Sequence, residues 1–132
     1  MKRLFLSVII FLFYTNASAS EKVACIDNNL AQETYECINY EMNVIESSLN
    51  NEYQAAKKRI NDVYSGSVKE RDEYLRVFTE SQRAWLKYRD GDCELASMAA
   101  EKNSDASMAY RRICIAELDR ERIAKIKQVP YG

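Results

Sequence analysis

The side chains best suited to chemistry cluster around a single tryptophan. Gln82, Trp85, Tyr88, Arg89, Asp90 and Cys93 stand three or four residues apart, or side by side, in one helical-looking stretch. Tyr, Arg and Asp are residues that fill and grip a partner's pocket, so Tyr88, Arg89 and Asp90 are the candidate partner contacts. Asp90-Gly91-Asp92-Cys93-Glu94 gathers three carboxylates about a glycine, a composition that suits calcium. It lacks the twelve-residue loop with its terminal Glu, and a solvated helix face is the better reading. The chain has no histidine. His triads, His proton shuttles and His-containing zinc sites are therefore excluded, and no imidazole is present to activate a thiolate. Ser47-Ser48 has no glycines around it to form a nucleophile elbow. With acids this numerous, adjacent carboxylate pairs arise by chance, so they do not point to glycoside hydrolysis. No cofactor motif is present, and the expectation is a protein that binds and does not catalyse.

The amino terminus is of a different character. Lys2 and Arg3 precede an apolar run from Leu4 to Tyr14, and Ala17-Ser18-Ala19 supplies the small residues of a cleavage site. Residues 1–19 read as a secretory signal removed on export, which leaves a single domain over 20–132 in the periplasm or outside the cell. The apolar run is too short to cross about 30 Å of hydrocarbon as a helix. Glu21 and Lys22 interrupt any lipid-attachment approach to Cys25, so neither a lipid anchor nor a membrane partner is expected after cleavage. The remaining chain carries 17 basic and 20 acidic residues. Such a mildly acidic surface argues against nucleic acid as a partner. Export also makes the four cysteines, Cys25, Cys37, Cys93 and Cys114, read as two disulfides, since none stands in a C-x-x-C pair.

The elements that must position these groups are helices. Ile38, Met42, Ile45, Leu49, Tyr53, Ala56, Ile60 and Val63 form one apolar stripe, with Asn29 as its candidate cap. Ser65-Gly66-Ser67 breaks it. A second helix from Val68 to about Lys102 places Leu75, Phe78, Gln82, Trp85, Arg89, Cys93 and Ala96 on one face. Asn103-Ser104-Asp105 breaks and recaps the chain. A third helix carries Ala109, Ile113, Ala116, Ile123 and Ile126 and stops before Pro130. Short breaks between long helices predict an all-α fold, an antiparallel three-helix up-down-up bundle stapled by two disulfides.

Folding the first hairpin about residue 65 makes facing positions sum to about 130, and folding the second between 103 and 104 makes them sum to 207. Cys93 then faces both Cys37 and Cys114. A continuous helix from 25 to 37 would hold those two cysteines about 18 Å apart, too far for a bridge, so Cys25 must double back. The preferred pairing is Cys25 with Cys37 and Cys93 with Cys114; Cys37 with Cys93 and Cys25 with Cys114 is the alternative. The same arithmetic sets Gln82 opposite Asn50 and Arg89 opposite Glu41, the expected members of a buried polar network. Lys57, Lys58 and Arg59 read as a solvated face.

Taken together, Leu49-Asn50-x-x-Tyr53, then Gln82-x-x-Trp85-x-x-Tyr88-Arg89-Asp90-x-x-Cys93, then Cys114 with Leu118 and Arg122-Ile123, resemble the LprI-like family of small exported bacterial proteins. The likeness spans about residues 25–126. It implies a disulfide-bonded helical envelope domain, with Asn50, Tyr53, Gln82 and Trp85 as structural motif positions. The family's name attaches lysozyme inhibition, which makes a protein such as a lysozyme the expected partner. An interaction module of the envelope without that activity is the alternative.

Overall fold

The computed structural model describes residues 31–132, with side chains from residue 35. The expected leader, the Asn29 cap and Cys25 lie outside the described residues. Three helices make up the described chain: α1, Ala31–Val63; α2, Val68–Ser97; and α3, Asp105–Ile126. No strand is present among the described residues.

The breaks carry their own chemistry. Ser67 caps α2, its hydroxyl accepting from the Glu70 N–H while Glu70 places a negative charge in the first turn. Ser104 caps α3 in the same way, accepting from the Ser107 N–H at 3.1 Å, with Asp105 in the first turn. The carboxyl end of α2 differs from expectation: the helix stops at Ser97, short of Lys102. Met98, Ala99 and Ala100 tighten into successive i to i−3 bonds. Asn103 then takes a left-handed φ of 65°, which an asparagine tolerates better than most residues and which turns the chain into the Ser104 cap.

The cross-helix pairs fix the register. Between α2 and α3, Glu94 meets Arg111, Cys93 bonds Cys114, Arg89 meets Asp119 and Gln82 meets Arg122, so residue numbers fall along α2 as they rise along α3. These pairs bracket the predicted sum of 207. Between α1 and α2, Tyr53 donates to Thr79 and stacks on Phe78, with ring centroids 5.0 Å apart, and Tyr64 lies against Tyr74. The larger departure is in the packing order. α3 lies against both other helices, whereas α1 and α2 approach each other least.

One buried cluster, Leu49, Ala56, Ile60, Phe78, Ile126 and Val129, fills the end of the bundle near the α1–α2 turn. Val63, the last residue of the predicted stripe, is exposed instead, because α1 ends there. At the other end Ile38, Cys93, Ile115 and Ala116 are buried, and the Cys93–Cys114 disulfide joins α2 to α3 with 5.4 Å between Cα atoms. This is the one bridge whose two cysteines are both described. Cys37 is also disulfide-bonded, and no described cysteine is free.

Arg59 is the correction at the carboxyl end. It was expected on a solvated face, but its Nε donates to the Val129 carbonyl at 2.8 Å and its Nη2 to the Ile126 carbonyl at 2.9 Å. These acceptors lie at and just beyond the last turn of α3; the Val129 N–H also donates to the Ile126 carbonyl at 3.0 Å, and Arg59 adds a second bond there. Glu52, 3.0 Å from Arg59, holds the guanidinium in place. The Tyr131 N–H donates to the Tyr74 hydroxyl, so the tail after α3 is tied to both other helices.

Candidate functional site

Gln82, Trp85 and Arg89 fall on one face of α2 through spacings of three and four, and Asp119 and Arg122 fall on the facing side of α3. Together they form a polar layer between the apolar cluster at one end and the disulfide at the other. Arg89 donates through Nη1 to both carboxylate oxygens of Asp119, at 2.9 and 3.3 Å. Its Nε and Nη2 donate to Asp90 at 3.0 and 2.8 Å, while Glu46 of α1 stands 3.9 Å away. Arg122 donates from Nε to Gln82 at 2.9 Å and from Nη2 to the Ser81 hydroxyl at 3.4 Å. The Trp85 ring lies against both guanidiniums, 5.6 Å from Arg89 and 5.4 Å from Arg122, an arrangement stabilised by the ring quadrupole.

The network therefore exists, with different partners from those expected. Arg89 pairs with Asp119 in place of Glu41, and Gln82 accepts from Arg122 in place of Asn50, which is exposed. The reason is the packing order: α2 turns its polar seam toward α3, not toward the helix that precedes it in the chain. Asp119 was not singled out by the sequence, and Arg122 stood there only as part of the family resemblance. The signal that marked them was the gap in the third stripe, where Ala116 is followed by no apolar residue on that face until Ile123.

Burial and pairing oppose each other in this layer. Asp119 is fully enclosed, and desolvation lifts its carboxyl above the usual aspartate range against the pull of the Arg89 guanidinium. Burial also works to lower the Arg89 value. There the hydrogen bonds that Arg89 donates to Asp119 and Asp90 prevail and hold the guanidinium above its ordinary value. Arg122 has no carboxylate partner, and burial lowers it. Every charge in the layer is committed to a neighbour, so the layer fixes the register of α2 against α3.

Of the three predicted contacts, the structure joins Arg89 to Asp90 and turns Tyr88 away from them. Tyr88 is 58% exposed, Arg89 is 7% exposed, and Asp90 is exposed beside Arg89. Tyr88 thus faces water, although the hairpin sum of 130 sets it opposite Met42. Tyr53 is half-buried on the α1–α2 seam, with Lys57 5.7 Å from its ring. Because α1 and α2 approach least, two grooves open along their seam. One of about 400 Å³ is lined by Met42, Glu46, Asp90, Met108 and Arg111. The other, of about 360 Å³, is lined by Asn50, Tyr53, Lys57, Gln82 and Arg83. Glu46 and Arg89 border both. Among the described residues no cluster of His, Cys, Asp or Glu is placed to hold a metal ion, and no helix is long and apolar enough to cross a membrane.

Comparison with known proteins fits this architecture. A crystal structure of a DUF1311 family protein from Pseudomonas putida KT2440 superposes with a TM-score of 0.68 at 22% identity, covering 76% of this chain and 94% of that one, a likeness of fold. The uncharacterised protein R02472 of Rhizobium meliloti is 33% identical over 111 residues, 81% of this chain and 74% of its own. The uncharacterised protein YecT of Escherichia coli K12 is 39% identical over 75 residues, 56% of this chain and 46% of its own. The family model described as lysozyme inhibitor LprI matches residues 25–126, and the chain belongs to the LprI family.

Proposed function

We propose that this chain is an exported binding protein that blocks a lysozyme or a related wall hydrolase, working in the periplasm or outside the cell after loss of residues 1–19. The observation that carries the reading is the family match across residues 25–126. The polar layer supports it from another direction: Gln82, Trp85, Arg89, Asp119 and Arg122 are spent on holding α2 to α3, which yields a stiff scaffold whose work is done at the surface. Cys25 with Cys37 completes the second staple in this reading.

Charge favours the same class of partner. Between Asp90 and Tyr110 the chain has five acidic residues, Asp90, Asp92, Glu94, Glu101 and Asp105, against Lys102 alone. All five are exposed. Animal-type lysozymes are strongly basic, and attraction of this kind speeds encounter more than it deepens affinity. Tyr88 and Asp90 are two positions apart on a helix, about 200° around its axis, so they do not meet one flat partner together. Asp90, bordering the groove with Met42 and Met108, is the contact assigned to the hydrolase.

Lysis of bacterial walls by chicken-type lysozyme, followed as turbidity with and without the oxidised, folded protein, tests the reading. Slowing at micromolar excess is expected. Undiminished lysis removes the inhibitor reading for that enzyme type and leaves the envelope-module alternative.

A further inference from the structure

We infer that the outward face of α2 is a self-association surface, on which a second copy of this chain packs its own α2 in the opposite direction. Beside the face that meets α3, α2 carries a second stripe, Ser81, Ala84, Tyr88, Gly91 and Leu95, continued by Met98 just past its end, at spacings of 3, 4, 3, 4 and 3; Ser81 stands at its edge, where Arg122 also reaches the hydroxyl. All six are exposed, with Tyr88 at 58%, Leu95 at 65% and Met98 at 68%. Spacings that alternate three and four are those of a helix–helix seam, and apolar groups there remain in water unless another helix covers them.

Gly91 is the second observation. Apart from proline, glycine is the poorest residue inside a helix, and α2 runs 30 residues through this one without interruption. Its φ is not positive, and a Cβ placed there meets nothing within 4 Å. Nothing inside the described protomer uses the missing side chain; close approach of another backbone does.

The stripe is complementary to itself. When two α2 helices run antiparallel about a two-fold axis between residues 89 and 90, facing positions sum to 179, so Tyr88 lies over the partner's Gly91, Leu95 over its Ala84 and Met98 over its Ser81. Each bulky residue meets a small one. In that register Lys87 flanks the partner's Glu94, and symmetry makes the pair twice. Lys87 has no ion pair among the described residues, and Glu94 has only an exposed contact with Arg111 at 3.3 Å. Charge and shape thus select a second copy as the occupant. The groove beside Asp90 borders this surface, since Glu94 stands one helical turn from Asp90 and meets Arg111, which lines that groove.

Sedimentation equilibrium of the oxidised mature protein tests this, at loadings from about 1 µM to about 1 mM. A concentration-dependent dimer is expected. Gly91→Leu should weaken it at least about tenfold while circular dichroism and Tm show a fold no less stable. Lys87→Glu and Glu94→Lys should each weaken it, and the doubly exchanged protein should recover to within about threefold of the original. A monomer throughout the range overturns the inference, as does a dimer indifferent to Gly91→Leu. So does a monomer whose α2 face gains hydrogen-exchange protection only when lysozyme is added, an outcome that gives the face to that enzyme.

Discussion

Asp119→Asn removes the charge that faces Arg89 and keeps the side chain's shape, so it asks what the buried pair is worth. Asp119 is fully enclosed and the Arg89 side chain is 9% exposed, which leaves little water to screen either group. Removing one member of such a pair costs about 3–5 kcal/mol. Arg89 keeps two bonds to exposed Asp90, an amide oxygen still accepts from it, and burial already favours a neutral side chain at 119, so the expected loss falls to about 1 kcal/mol. Arg89→Met should cost at least as much at neutral pH, since it leaves an unpaired carboxylate inside. The double variant Arg89→Met/Asp119→Leu should lose only about 1 kcal/mol, because two charges no longer need desolvating. Urea unfolding of the unsubstituted protein, Arg89→Met, Asp119→Leu and the double variant at constant m closes the cycle, with Asp119→Asn read beside it. Losses in the double variant equal to the sum of the singles would refute a coupled pair, and a loss under about 0.5 kcal/mol in Asp119→Asn would refute its burial energetics.

The same pair predicts a pH dependence. Burial lifts the folded-state value of Asp119 above its unfolded one, so the fold prefers the protonated form. Its contribution to stability is full below the unfolded value and is lost as pH rises through the raised folded value. Arg89→Met strips away the groups that pull that value down, so its cost should be larger at pH 7 than near pH 4. A pH-independent penalty in paired denaturation curves contradicts this. Replacing Cys93 and Cys114 together by Ala should lower stability by about 3 kcal/mol, the loop-closure value for a bridge of this span, read as a drop in urea midpoint. Arg59→Met frees the Val129 carbonyl and leaves the Ile126 carbonyl only its bond from the Val129 N–H, and should cost about 2 kcal/mol, with faster amide exchange confined to the end of α3 and the tail. Asn103→Val forces a β-branched residue to a φ of 65° and should cost about 1–2 kcal/mol, whereas Asn103→Gly should be near neutral in thermal unfolding.

Local chemistry was legible in the chain. The stripes from Ile38 to Ile60 and from Phe78 to Cys93 lie where their periodicity places them. Ser67 and Ser104 cap the helices that follow the predicted breaks, because a cap is decided by three or four neighbouring residues. The hairpin arithmetic found Cys93 opposite Cys114, since a short turn leaves little freedom of register. The family was visible in the Gln-Trp-Tyr-Arg-Asp-Cys run.

What the sequence could not state was which face meets which. A buried stripe shows that residues leave water, not what they meet, and the reading gave α2 its chain neighbour α1 as partner for the polar seam. Only the tertiary structure set α3 against both helices, and with it Asp119 and Arg122 came into the layer, Arg59 reached the end of α3, and Tyr88 was left facing water. Periodicity is a property of one helix. Partnership depends on the rotation of three helices about one another, and that rotation is fixed by packing contacts between residues far apart in the chain.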